Sequence, residues 1–256
     1  RTRLNQNIRS AFDIINTELR QTGERLPTGF PALEIIDGGA NASDQLILRR
    51  NLLDETLTVC QNITPSTAGG FINMTSNTAG LPPACTFGTQ TSNYDSWRNY
   101  RLADSTGIVK AYIYDFVSKK GQFFNYDSEV NNNINIQRIH NQSEVWANSY
   151  NAISSSAYIL SEWIFSKSTV SGQTDLLQVT QNQNTANIQS IIYGIQNIQF
   201  RAIMQNGNIK DSFTSSDSWT QIKSIEVSIT GTDSYRGRIL SSTLTTRLFP
   251  RNVLSN

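Results

Sequence analysis

The feature that most limits what this chain can fold into is its first segment. Leu4, Ile8, Ala11, Phe12, Ile15 and Leu19 recur at the spacing of one helical face, with Arg3, Asn7, Asp13, Asn16, Glu18 and Arg20 at the other positions. An apolar stripe of period 3.6 predicts an amphipathic helix over residues 1–23, and such a stripe needs a surface to cover it. Gly23 is a natural stop and Pro27 follows soon after. No capping residue precedes the stripe, so the pattern predicts the lower half of a longer helix. By itself the stripe says only that something covers it, and the chain's own sheet could cover all of it.

The rest of the chain reads mainly as strand and loop. Thr22 to Asn41 is a Gly/Pro-rich connector, and Asp44–Arg50 and Glu55–Cys60 are short runs suited to strands. Gln61 to Ser96 is dominated by Gly, Pro, Asn and Thr and reads as a long loop. Strands are predicted at Ile108–Val117, Gln122–Tyr126, Ser155–Phe165, Leu176–Thr180, Ile188–Met204, Gln221–Thr230 and Ile239–Leu248. In one of them Ile225, Val227 and Ile229 alternate with Glu226, Ser228 and Thr230, as in a half-buried antiparallel strand. The expectation is therefore an α+β fold, with an N-terminal helix packed on antiparallel sheet. A single domain of 256 residues would divide into the helix (1–23), a connector with the first strands (24–60), a loop-rich insertion (61–151) and a C-terminal antiparallel sheet (152–256).

Composition narrows the function. Charged residues make up 16% of the chain, against about 25% in typical soluble domains. Amides and hydroxyls take their place, as is common in exported β proteins. The net charge of +1 provides no field to steer the chain to nucleic acid, and no specific nucleic-acid site is evident. Cys60 and Cys85 flank a segment that cannot pack itself. They are read as a disulfide, which would place the protein in an oxidising compartment, with a pair of buried free thiols as the alternative.

Motifs for chemistry are missing. His140 is the one histidine, and there is no zinc motif, no Cys-x-x-Cys pair, no nucleophile elbow and no phosphate-binding loop. The chain is read as a non-enzyme without a cofactor or bound metal. Asp127, Glu129 and Asn131 alternate like the first ligands of a calcium loop. However, Asn132 stands where glycine is needed, and Arg138 where a bidentate glutamate should be. Tyr94, Trp97 and Tyr100 could stack on a ligand, making the chain an exported carbohydrate- or surface-binding β module, or they could be ordinary core. A hydrolase would instead need two carboxylates about 5–10 Å apart in a cleft.

Several patches together resemble a known family. Leu19-Arg-Gln-Thr-Gly is similar to the end of the pilin helix, and Ala42-Ser-Asp-Gln-Leu-Ile-Leu-Arg to the first strand after it. Ile192-Tyr-Gly-Ile-Gln-Asn-Ile-Gln-Phe, Trp219-Thr-Gln-Ile-Lys-Ser-Ile-Glu-Val-Ser-Ile and Thr246-Arg-Leu-Phe-Pro-Arg-Asn resemble its later strands. The resemblance is to the ectodomain of PilW-type minor pilins of type IV pili and their J-type pseudopilin counterparts in type II secretion. It covers the first quarter and the last third of the chain. It implies a prepilin held in the inner membrane by an apolar half-helix, facing the periplasm, and later built into a pilus at the cell surface. The implied partners are the H-, I- and K-type subunits and the major pilin, and the implied work is priming of assembly, with roles in adhesion, motility or DNA uptake. Leu4, Ile8, Phe12, Ile15 and Leu19 would then form the assembly face, shared between the chain's own sheet and its neighbours.

Overall fold

The computed structural model describes residues 2–39, 42–132, 136–167, 176–184, 188–235 and 237–252. The chain forms two compact units. One comprises residues 1–50 and 161–256, and the other, 51–160, is inserted into it.

The first unit opens with helix α1 (Thr2–Gln21); Arg1 lies outside the described residues. One of its sheets has the order β1-β2-β9-β10-β11, built from Leu33–Ile36, Gln45–Asn51, Leu160–Lys167, Leu176–Gln181 and Ile188–Tyr193. The other has the order β13-β12-β14-β15, from Ile209–Lys210, Ile195–Met204, Ile222–Tyr235 and Arg238–Leu248. Strands β11 and β12 are separated only by Gly194, whose φ of 81° lets the chain leave one sheet and enter the other. In β14 the alternation is as the sequence predicts: Ile225, Val227 and Ile229 are fully buried. Helix α1 lies against β11, β14 and β15.

The second unit holds a six-stranded sheet in the order β3-β8-β5-β6-β7-β4. Its strands are Leu57–Thr58, Ser155–Tyr158, Val109–Asp115, Lys120–Asn132, Ile136–Val145 and Ala68–Asn73. Helix α2 (Thr91–Ala103) contacts β6. Tyr94 and Trp97 from α2 join Ile72, Met74, Phe124, Tyr126, Ile139, Trp146 and Tyr150 in one apolar cluster.

This architecture corrects the expected fold class. Strand accounts for 47% and helix for 17% of the chain, in three antiparallel sheets, one curled like half a barrel, and the structure is not a pilin helix-on-sheet fold. The expectation failed in the middle of the chain. Gly, Pro, Asn and Thr dominate residues 61–96, a composition that reads as loop, yet they supply β4 and the start of α2. Gly69 and Gly70 sit within β4, where the register shifts between Ala68 and Gly70, and both have positive φ. They build a β-bulge, a strand feature that composition alone reads as a turn.

Candidate functional site

The outer side of α1 is exposed, and its shape follows from how the helix is held. Leu4, Ile8, Ala11, Ile15 and Leu19 are each at most 1% exposed, and Phe12 is half-buried. The stripe is therefore spent on the chain's own unit and is not shared out as an apolar assembly face. Close packing at the N-terminal end depends on Gly231 of β14. A Cβ there would lie 2.7 Å from Leu4 Cδ1 and 2.8 Å from the Gly194 carbonyl oxygen. Asn7 Nδ2 donates to the Tyr193 carbonyl (3.1 Å), and Ser242 Oγ donates to Asn5 Oδ1 (3.1 Å).

The C-terminal end is fixed as firmly. Gly23 ends the helix with φ 80°, and the Trp219 indole occupies the space a Cβ would need, 2.3 Å away. Gly23 N–H donates to the Arg49 carbonyl (2.9 Å), and Asn252 Nδ2 to the Thr22 carbonyl (3.0 Å). Facing solvent are Arg3, Gln6, Arg9, Ser10, Asp13, Thr17 and Arg20. Three arginines against one aspartate make this side of the helix basic. Glu18 is set apart from it: burial pushes its carboxyl above the usual range, although Arg50 pulls the other way.

Beneath the helix end, a charged group is built into the first unit. Arg49 is 5% exposed and Glu162 fully buried, with Nε–H donating to Oε2 at 2.7 Å. Arg49 Nη1 also donates to the Pro31 carbonyl (2.7 Å) and to the Glu34 carboxylate. Burial raises the Glu162 carboxyl, with the neighbouring Arg49 opposing. The group is closed in and acts as part of the core.

The residues singled out in the second unit fall in several places. Cys60 and Cys85 are joined in a disulfide. Tyr94 and Trp97 are 1% and 0% exposed, and Trp97 Nε1–H donates to the Glu55 carbonyl (2.9 Å), so neither ring can stack on a ligand. Tyr100 is half-buried against the same cluster. Asp127 and Glu129 do not converge. Asp127 Oδ1 lies 2.6 Å from His140 Nδ1, while Glu129 takes two bonds from Arg101 (2.8 and 2.7 Å) and one from the Tyr126 hydroxyl (2.6 Å). Burial alone would raise the Glu129 carboxyl, but these bonds hold it below the usual range. Among the described residues, no three His, Cys, Asp or Glu side chains gather as a metal site would require. His140 packs beside the Phe71 ring (4.8 Å between centroids), with the Arg138 guanidinium 4.0 Å from that ring's centre.

Two features escaped the sequence. Asp115, at the end of β5, is 2% exposed and gathers five donors. An open pocket of about 300 Å³ sits beside the β12–β13 hairpin, lined by amide side chains with Lys210 and Asp217. The Asn206-Gly207-Asn208 turn was its one visible trace. Among the described residues, no helix is long and apolar enough to cross a membrane. Compared with protein-family models, curated proteins and solved structures, the chain matches none.

Proposed function

We propose that this chain is an exported, non-enzymatic subunit that works by assembly, in the manner of a minor pilin in the tip or priming complex of a type IV pilus or of its J-type counterpart in type II secretion. Support comes from where the family-like patches meet, not from the architecture of the whole chain. Leu19–Gly23, Ala42–Arg49, Ile192–Phe200, Trp219–Ile229 and Thr246–Asn252 are far apart in sequence, but they bond to one another around α1 in the first unit. Trp219 covers Gly23, Gly23 bonds Arg49, Asn252 bonds Thr22, and the Asp44 carboxylate accepts from Phe200 N–H at 2.7 Å. The Cys60–Cys85 disulfide fits an oxidising compartment.

On this reading the partners are other minor pilins or pseudopilins, meeting the basic outer side of α1, and the protein sits at the inner membrane facing the periplasm before assembly. The test is genetic. Cells lacking the chain should lose surface filaments or type II secretion, and wild-type complementation should restore them. Complementation with the exposed triple variant Arg3→Glu, Arg9→Glu, Arg20→Glu should fail although the variant protein is folded and present. Normal filaments and normal secretion in the deletion strain would overturn the proposal.

A further inference from the structure

The pocket beside the β12–β13 hairpin belongs to no part of the assembly reading. It measures about 300 Å³, at the lower end for small-ligand sites. Its walls are held by backbone bonds: Met204 N–H to the Asn208 carbonyl and Gln205 N–H to the Gln221 carbonyl, both 2.8 Å. Gln205 is tied further by Nε2–H to the Thr220 carbonyl (3.2 Å), and Asn206 Oδ1 accepts from Asn208 N–H (3.0 Å). Met204, 7% exposed, lends an apolar patch to the lining.

The charges in the pocket cancel. Lys210 Nζ pairs with Asp217 Oδ1, and Asp217 Oδ2 accepts from Thr214 N–H (2.9 Å). Lys210 keeps N–H donors beyond that pair. Among the described residues, the side-chain amides of Asn208 and Gln221 and the Asn206 Nδ2 group have no protein partner. Each full amide offers two donors and an acceptor, which complements adjacent hydroxyls that also both donate and accept. A net-neutral, amide-lined pocket of this size with an apolar patch suits an uncharged ring carrying several hydroxyls.

We infer that this pocket binds a neutral, polyhydroxylated small molecule of monosaccharide size, recognised by Asn206, Asn208, Lys210 and Gln221. The inference does not rest on the assembly role, and either can fail alone. The test uses the whole disulfide-bonded chain with methyl glucoside, methyl galactoside and methyl N-acetylglucosaminide, and with glucuronate and glucosamine as charged counterparts. Side-chain amide resonances of Asn206, Asn208 and Gln221 should shift with at least one neutral glycoside, with a Kd on the order of millimolar. The double variant Asn208→Ala, Gln221→Ala removes only exposed groups and should keep its melting temperature. It should weaken binding about tenfold or more, from the loss of several hydrogen bonds. Four outcomes would overturn the inference: no shift with any neutral glycoside, shifts confined to other residues, unchanged binding by the double variant, or a charged sugar binding as tightly as the neutral ones.

Discussion

Asp115 is the group whose removal should cost the second unit most for a change of a single atom. Its Oδ1 accepts from Val117 N–H (2.9 Å) and Ser118 N–H (2.8 Å). Its Oδ2 accepts from Asn151 N–H (2.9 Å), Ser154 Oγ (2.9 Å) and Ser155 Oγ (3.0 Å). Burial by itself would raise the carboxyl, but the five donors outweigh it and bring the pKa down to about 2 from the ordinary 3.8. That difference is worth about 2 kcal/mol in favour of the folded state. Because the folded pKa is the lower one, the contribution is complete above about pH 4 and is lost as pH falls toward about 2. Asp115→Asn keeps the shape but replaces one acceptor oxygen with an NH₂ aimed at donors, stranding at least one of them. The expected cost is about 2–4 kcal/mol at neutral pH. Urea unfolding of wild type and variant across this range, followed by tryptophan fluorescence, measures both effects. The gap between them should narrow by about 2 kcal/mol between pH 5 and pH 2. A variant within about 0.5 kcal/mol of wild type at pH 7, or a gap that does not change with pH, would refute the account of Asp115 as a charged hub.

Three other outcomes follow from the packing. Trp97→Ala should cost about 3–5 kcal/mol, as expected for a fully buried ring, and thermal unfolding checks it. Arg49→Met should cost about 3–5 kcal/mol by leaving Glu162 buried without its cation, and Arg49→Met with Glu162→Met should recover most of the loss, measured as a double-mutant cycle. Replacing Cys60 and Cys85 by serine should cost about 3.5 kcal/mol by the loop-entropy argument for a separation of 25, seen as a fall in the urea midpoint that matches the effect of reductant on wild type.

How much was legible depended on whether a segment's neighbours were local or distant. Helix α1 could be read because its five buried residues repeat at helical spacing, and β14 because its buried residues alternate. Helix α2 could not. Only Tyr94 and Trp97 are buried along it, and what fixes it comes from far along the chain: Asn93 Nδ2–H to the Thr56 carbonyl (2.9 Å) and the Gln90 amide to Thr58 and Met74. Such a helix exists by tertiary bonding and carries little periodicity of its own. In β7 the inward residues Gln137, Ile139 and Asn141 mix polar with apolar, because Gln137 Nε2–H donates to Thr91 Oγ1 (3.0 Å) and the Asn141 amide exchanges bonds with the Glu144 backbone (2.8 and 3.0 Å). Tyr94 and Trp97 read in sequence as ligand platforms for the same reason that they are core: they are large rings in a segment otherwise short of apolar residues. The pocket beside β12 left almost no trace, because unpaired amides on a hairpin look like any solvated turn.

The second unit is inserted between two stretches of the first. Strands β2 and β9 are neighbours in one sheet, and β2 ends at Asn51 where β9 begins at Leu160. The two ends of the inserted stretch are therefore adjacent in the first unit, the arrangement in which a sheet tolerates an insertion of any length between strands. Gly23, Arg49, Gly194, Trp219, Gly231 and Asn252, which seat α1, all belong to the first unit. The first unit is thus constrained residue by residue by the helix it holds. The second has its own core, its own disulfide and its own hub at Asp115. Substitutions there should act on the stability of that unit, whereas the exposed side of α1 is set by the helix and the strands beneath it.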